Sequence, residues 1–293
     1  MRLRNLIRPG LPAIGAAVVF AGVTAMASAE TLLERGDYLV NTIAACGNCH
    51  TPKDVNGHAI AGEELSGGFE FDDPGIGHVV GPNITPDPET GIGTWSEAQI
   101  VTALRDGKRP DGTIIGPPMP IPVYRQLSDR DAAAIAAYLR SVKPIRHRVA
   151  RTRYDIPLPP AYGPPVTHAE APPPTDRIAY GGYLAGPVGH CVLCHTAPGD
   201  GKPFDMDRAY AGGRTLPDFA NPGALTVSRD ITSDPDDGIG GWTDADIKQA
   251  IVAGIRPDGT RLARTMPFDW YARIAPDDLD ALVAYLRSLN SVK

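Results

Sequence analysis

Aromatic side chains are scarce in this sequence of 293 residues. Phe, Trp and Tyr make up 6% of the chain, whereas hydrophobic residues as a whole make up 42%. That apolar content excludes wholesale disorder. Large aromatic rings usually supply much of the buried area of a core, so we expect something other than aromatic side chains to fill the interior.

Cysteine is limited to four residues, and none of them stands alone. They form two Cys-x-x-Cys pairs, each followed directly by histidine: Cys46, Cys49 and His50, then Cys191, Cys194 and His195. Two disulfides are the ordinary expectation for four cysteines in an exported chain. A disulfide framework leaves both histidines unexplained, so the pattern argues against it.

Long apolar runs are absent after the N-terminal segment. Arg2, Arg4 and Arg8 precede a charge-free apolar stretch over residues 11–27, and residues 27–29 supply the small side chains of a cleavage site. We predict a signal peptide over residues 1–29, cleaved after Ala29, and a periplasmic mature protein. An uncleaved membrane anchor is the alternative.

Positive charge is outnumbered by negative charge. The chain has 28 Lys and Arg against 34 Asp and Glu, a formal charge of −6, and loss of residues 1–29 with their three arginines makes it −9. An acidic protein is a poor ligand for nucleic acid, which we exclude as a partner. Its charge favours a partner with a basic docking patch.

An internal repeat covers most of the sequence. Residues 46–51 match 191–196 at an offset of 145, and residues 109–113 match 256–260 at an offset of 147. The run Tyr-Leu-Arg-Ser closes both copies. Matches in this order along two long segments indicate gene duplication.

The repeat divides the chain into domains. We predict a first domain over residues 30–150, a linker over 151–175 and a second domain over 176–293. Eight prolines lie between Asp155 and Asp176, which makes the linker extended and semi-rigid. It either spaces the domains freely or packs along the surface of one of them.

Each copy has the pattern of a small helical domain. In the first, the sequence predicts helices over residues 32–45, 96–104 and 128–142; in the second, over 243–252 and 276–289. Proline-rich loops occupy much of the rest. The predicted fold class is all-α, with two tandem domains.

The Cys-x-x-Cys-His motif fits covalent attachment of haem. Two thiols at this spacing can form thioether bonds to one porphyrin, and the next side chain then points at the iron. A redox or metal-binding Cys-x-x-Cys with an incidental histidine can mimic one copy. Two copies in matching positions favour two haem c groups, attached to Cys46 and Cys49 and to Cys191 and Cys194, with His50 and His195 as axial ligands.

The sixth iron ligand is predicted to be methionine. Met119 and Met266 occupy matching positions, and each is followed by proline. Met206 has no counterpart, since Ala61 lies at the matching position. A thioether is a soft ligand that favours reduced iron. We therefore predict Met119 and Met266 as distal ligands, with packing as the alternative role.

Other repeated residues leave two readings open. Trp95 and Trp242 either pack against the core or donate an indole N–H to a haem propionate. Arg109 and Arg256 either pair with propionates or shape a turn. Most of the remaining histidines are expected to be solvated.

With these residues in view, each copy resembles a class I cytochrome c domain. Residues 81–87, 90–96 and 118–120, with the closing run 138–141, are similar to the multihaem cytochrome c subunits of periplasmic membrane-bound alcohol, gluconate and aldehyde dehydrogenases. The resemblance implies His/Met ligation at both irons and electron transfer from a dehydrogenase subunit toward quinone or a terminal oxidase. The better-known subunits have a third haem domain and a C-terminal membrane segment that the sequence does not match. We expect membrane association only through a partner or an uncleaved signal.

Two functions remain in competition. The first is a dihaem electron carrier without catalytic residues, whose partners are a periplasmic dehydrogenase subunit and a downstream cytochrome or oxidase. The second is a dihaem enzyme, a peroxidase or a thiosulfate-oxidising cytochrome, which needs one open iron and acid–base groups above it. The matching ligand sets in both copies favour the carrier.

Overall fold

The computed structural model describes residues 30–221 and 223–292. The predicted signal peptide therefore lies outside the described residues. Within those residues, no helix combines the length and the apolar character that crossing a bilayer requires.

Helices form the framework of both copies. The first copy contains α1 Leu32–Asn41, α2 Gly47–His50, α3 Glu97–Asp106, α4 Ile121–Tyr124 and α5 Asp129–Ser141. The second contains α6 Arg177–Tyr183, α7 Cys191–Cys194, α8 Asp244–Ala253, α9 Phe268–Tyr271 and α10 Pro276–Ser288. A single π-helical turn, Leu184–Val188, continues α6.

Local sequence signals account for the ends of the longer helices. Ser96 and Thr243 cap α3 and α8, each through a reciprocal capping box, and Gly107 and Gly254 end the same helices in the left-handed conformation. The predicted extension of the first helix to residue 45 is wrong. The helix ends at Asn41 because Thr42 leaves helical backbone geometry.

Each copy packs its first helix against its last. Glycine permits the close approach, since a Cβ atom on Gly36 would lie 2.1 Å from the Ala134 carbonyl oxygen and one on Gly181 would lie 1.9 Å from that of Ala281. These two glycines match at the offset of 145 residues. The repeat in sequence is thus a repeat in helix packing.

The all-α prediction omits two small antiparallel sheets. Strands β1 Glu70–Asp73, β2 Gly77–Val80 and β3 Arg153–Tyr154 form one sheet, and β4 Thr215–Pro217 and β5 Leu225–Val227 form the other. Each strand has two to four residues, too few to show the alternation of apolar and polar side chains by which strands are recognised. The fold is helical with small sheets in its loops.

The two copies share one hydrophobic core. Leu39 and Val40 of α1 belong to the same buried cluster as Leu184 and Leu282 of the second copy. At the edge of this interface, the rings of Phe69 and Phe219 meet edge to face at 5.0 Å. Apolar burial across the interface therefore joins the copies.

Two tyrosines make reciprocal hydrogen bonds across the interface. Tyr38 of α1 donates its hydroxyl proton to Asp278 of α10 at 2.7 Å and accepts from the Ala275 N–H. Tyr183 of α6 donates to Asp131 of α5 at 2.6 Å and accepts from the Ser128 N–H. Each copy thus caps the last helix of the other, as across a two-fold axis.

The proline-rich linker packs along the first copy. The Tyr162 hydroxyl donates to the Ile115 carbonyl at 3.0 Å, the Val166 N–H donates to Asp106 at 3.1 Å, and the Asp129 N–H donates to the Ala169 carbonyl at 2.8 Å. Of the two arrangements open to it, the linker takes the one that covers a domain surface.

Candidate functional site

The first Cys-x-x-Cys-His motif lies just after α1. Ala45 adopts a left-handed conformation with φ of 46°, and this turn directs the chain into α2 with His50 at its end. Cys46 and Cys49 are partly buried and form no disulfide. Both sulfurs are therefore available for bonds to another group.

The second motif repeats this geometry. His190 takes the place of Ala45 with the same φ of 46°, and α7 then carries Cys191 and Cys194, again without a disulfide. A side chain other than glycine or asparagine is uncommon in this region. The same left-handed conformation at matching positions of both copies indicates that the motif requires this turn.

Both motif histidines are held by one ring nitrogen. His50 Nδ1 lies 2.8 Å from the Pro82 carbonyl oxygen, and His195 Nδ1 lies 2.8 Å from that of Arg229. A carbonyl oxygen only accepts, so Nδ1 must carry the proton and donate it. Nε2 is then the unprotonated nitrogen in both rings, as an iron ligand requires.

Burial keeps these imidazoles neutral. Desolvation lowers the pKa of His50 and of His195, while the hydrogen bond to the carbonyl opposes that change. A metal ligand must be the neutral form. The surroundings thus prepare both rings for coordination.

One continuous cavity of about 1870 Å³ connects the two motifs. Single-ligand cavities typically measure ~300–1,000 Å³, so this volume suits two large groups. Met119 and Met266 line the cavity together with the four cysteines and both motif histidines. The walls of the cavity are largely apolar, and its interior has space for flat cofactors. Such cofactors would fill the part of the interior that the few aromatic side chains leave open.

The third methionine lies elsewhere. Met206 is 59% exposed and is not among the cavity-lining residues. Met119 and Met266 instead lie in the loops just before α4 and α9 and line the cavity. The two methionines that match in the internal repeat thus line the cavity, whereas Met206, which has no counterpart in the repeat, does not.

The repeated tryptophans and arginines also line the cavity. Trp95 and Trp242 are partly buried: Trp95 packs against the cluster that both copies share, and Trp242 packs against a smaller cluster within the second copy. Arg109 donates to the Ile114 carbonyl at 2.9 Å, which braces its own turn. Both tryptophans therefore contribute to packing, and the Arg109 side chain stabilises its own turn.

Sequence reasoning missed two positions that support the motifs. The residues following the motif histidines, Thr51 and Thr196, are fully buried and accept the N–H of Leu65 and Tyr210 at 3.0 and 3.1 Å. These bonds fix the loop that returns under the motif. The signal was present in the sequence, because threonine follows histidine in both copies.

The closing run of each copy has a comparable role. Arg140 and Arg287 donate to the carbonyl oxygens of Trp95 and Trp242. The last helix is thereby tied to the loop that precedes α3 or α8. Repetition of the arginine, read together with repetition of the tryptophan, would have predicted this contact.

Comparison with known proteins agrees with the geometry. The sequence profile of the cytochrome c family matches residues 33–143 and 187–290. The chain belongs to the cytochrome c family. Both matched segments contain one Cys-x-x-Cys-His motif and one of the repeated methionines, so this cytochrome has two family domains in tandem.

Relatives of this cytochrome are subunits of dehydrogenases. It is 32% identical over 94% of its length to the alcohol dehydrogenase (quinone) cytochrome c subunit of Gluconobacter oxydans, covering 58% of that protein. It is 30% identical over 93% of its length to the gluconate 2-dehydrogenase cytochrome c subunit of Pantoea cypripedii, covering 63%. The chain thus spans about three fifths of these relatives.

A dihaem relative is matched over most of both chains. The dihaem cytochrome c-type protein of Cereibacter sphaeroides is 29% identical over 94% of this chain and 90% of its own length. With the family match, this similarity confirms the predicted cofactors: the cytochrome carries two covalently bound haem c groups and serves electron transfer.

Proposed function

We propose that this cytochrome is an exported dihaem protein that passes single electrons from a dehydrogenase subunit to an acceptor of the respiratory chain. The observation that carries the proposal is the shared cavity, which brings two matching sets of Cys, His and Met together. The names of the relatives support a dehydrogenase as the electron donor. Export to the periplasm rests on the N-terminal arginines and the apolar stretch that follows them.

Each side chain of a set has a distinct role. Cys46 and Cys49 attach one haem and Cys191 and Cys194 attach the other, at the spacing that thioether attachment requires. His50 and His195 would coordinate the irons through Nε2, because Nδ1 of each ring is already bonded to a carbonyl oxygen. Met119 and Met266 would supply thioether sulfurs as the second protein ligand of each iron.

Haem contributes one-electron redox chemistry to this arrangement. The protein contributes a fixed ligand geometry, because a carbonyl oxygen holds each histidine and the loops before α4 and α9 place each methionine. Ligands that stay in place require little rearrangement when the electron arrives or leaves.

The arrangement of the two motifs favours transfer within the molecule. Cys49 and Cys194 line the same continuous cavity. An electron accepted in one copy therefore has a short path to the other.

Carbon monoxide binding to the reduced protein tests the ligand sets. We expect neither site of the wild-type protein to bind carbon monoxide, because methionine caps both irons. Met119→Ala and Met266→Ala should each open one site and lower its reduction potential, within the ~0.8 V range over which axial ligands act. Visible spectra and a redox titration measure both effects.

Met206→Ala is the matched control, since this exposed side chain does not line the cavity. It should leave the spectrum and both potentials unchanged. Carbon monoxide binding at one site of the wild-type protein would contradict the carrier and favour the dihaem enzyme. Unchanged spectra in the Met119 and Met266 variants would show that the ligand assignment is wrong.

A further inference from the structure

A stripe of basic residues follows α5. Lys143, Arg146, Arg148, Arg151 and Arg153 fall within eleven residues that contain no carboxylate, in a chain whose acids outnumber its bases. All five side chains are exposed. We call residues 143–153 the basic stripe.

The basic stripe is held firmly in place. The Thr152 hydroxyl accepts from the Val80 N–H and donates to the Val80 carbonyl, both at 3.1 Å. The backbone of Arg153 in β3 lies opposite that of His78 in the antiparallel strand β2. The His147 N–H donates to Thr90 at 3.0 Å. The backbone of the stripe therefore keeps a fixed position relative to the first Cys-x-x-Cys-His motif.

The stripe also borders the cavity. Residues 148–152 line it on the side of the first copy, with Arg148 and Arg151 among them. A partner that settles on the stripe would lie beside the first haem site.

Few of the charges are neutralised within the molecule. Among the described residues, Arg146 pairs with Glu89 at 2.6 Å and Arg153 lies 3.7 Å from Asp155, and all four side chains are more than half exposed. Ion pairs this exposed contribute little and are easily exchanged. Within the same part of the chain, Lys143, Arg148 and Arg151 form no salt bridge.

We propose that the basic stripe is the docking surface for an acidic electron-transfer protein, which exchanges electrons with the first haem site. The inference rests on the proposed electron-transfer function. It adds that the redox partner is acidic and that electrons cross at the first haem site. Net charge alone favours a basic partner, but association follows the local field beside the site where the electron crosses. An extended stripe at a cavity edge supplies such a field.

Oxidation of the reduced protein by small ions of opposite charge tests the field. The probes are ferricyanide, an anion, and tris(phenanthroline)cobalt(III), a cation; each accepts one electron, and rates are measured by stopped flow at low ionic strength. The double variant Arg148→Glu/Arg151→Glu should lose about tenfold in rate with ferricyanide and gain with the cobalt complex. Salt near 0.1 M should reduce both differences, because screening then acts over about 10 Å.

Two further variants separate docking from haem binding. Lys143→Glu/Arg146→Glu reverses charges that do not line the cavity, and it should change the rates in the same directions with both potentials unchanged. Arg208→Glu/Arg273→Glu makes the same change in net charge on exposed residues away from the cavity, and it should have a much smaller effect. Poly-L-glutamate, as an acidic polypeptide, should slow ferricyanide oxidation of the wild-type protein but not of the stripe variants.

Several results would overturn the inference. Equal effects of stripe and control variants would show that only net charge matters. Shifted potentials in the Arg148/Arg151 variant, with no effect at Lys143 and Arg146, would assign those arginines to the haem propionates. Stripe-dependent binding to phosphatidylserine vesicles without competition by polyglutamate would assign the stripe to a lipid surface. Failure of both oxidants to react would instead overturn the proposed electron-transfer function.

Discussion

At the scale of single residues, His190 shows how one position differs between the copies. It replaces Ala45 of the first copy, and its ring lies within the interface, 6.1 Å from the ring of Tyr124. Burial lowers its pKa to about 4, although a hydrogen bond to the Ala44 carbonyl opposes the change. His190 is therefore a neutral histidine in the folded protein.

This burial predicts a loss of stability in mild acid. The folded-state pKa lies below the ordinary value of 6.5, so the unfolded chain takes up a proton first as the pH falls. The free energy of unfolding should decline between pH 6.5 and pH 4 by about 3 kcal/mol from this group. Urea unfolding followed by circular dichroism at several pH values measures the decline.

His190→Asn provides the comparison, because asparagine tolerates the left-handed backbone that this position requires. The variant should lose less stability between pH 6.5 and pH 4 than the wild-type protein. An identical pH dependence in the two proteins would mean that His190 is not the group that titrates.

At the scale of secondary-structure elements, helix crossings depend on glycine. Gly181 of α6 lies against the backbone of α10, and a Cβ atom there would meet the Ala281 carbonyl oxygen at 1.9 Å. Gly186, one turn later, has only the Tyr210 hydroxyl within 4 Å, at 3.9 Å. Two glycines of one segment thus have opposite tolerance for a methyl group.

Alanine substitutions should separate them. Gly181→Ala must push α6 and α10 apart, and such overpacking costs about 1–3 kcal/mol or more. Gly186→Ala should be neutral or stabilise the protein by up to about 1 kcal/mol, because alanine restricts the unfolded chain. Thermal unfolding measures both, and equal shifts in Tm would contradict the proposed helix contact.

The linker is an element whose sequence left its position open. Composition predicted a stiff segment, and stiffness is compatible both with spacing and with packing. Individual hydrogen bonds, such as that from the Tyr162 hydroxyl to the Ile115 carbonyl, hold the linker against the first copy. Such contacts depend on which surfaces the folded domain presents.

At the scale of the whole molecule, buried polar contacts unite the copies. Asp131 accepts two hydrogen bonds from the guanidinium of Arg35, at 2.8 and 3.0 Å, and a third from Tyr183 of the second copy. Its counterpart Asp278 is less buried and accepts from Tyr38. The shared core and these bonds predict a single cooperative unfolding transition.

Asp131→Asn and Asp278→Asn test this coupling. Asp131→Asn leaves a buried guanidinium without its counter-charge, which should cost about 3–5 kcal/mol. Asp278→Asn replaces a partly exposed charged acceptor with a neutral one and should cost about 1 kcal/mol. Differential scanning calorimetry should show one peak in every protein, displaced most in Asp131→Asn; two separate peaks in the wild-type protein would contradict the unity of the fold.

Much of this protein follows from local sequence. The spacing of Cys46, Cys49 and His50 and its repetition specify haem attachment, because thioether chemistry acts over a few residues. Helix starts at Ser96 and Thr243 were likewise predictable, since a capping box is complete within four residues. The repeat also singled out Met119 and Met266, whose role as ligands stays a prediction.

Tertiary structure decided how the two copies meet. Tyr38 and Asp278 are 240 residues apart, and nothing in the sequence near either one specifies the other as its partner. The merging of two sites into one cavity, the burial of His190 and the course of the basic stripe depend on similar long-range contacts. Residue spacing determines the local chemistry of each motif, whereas contacts between distant segments form only when the whole chain has folded.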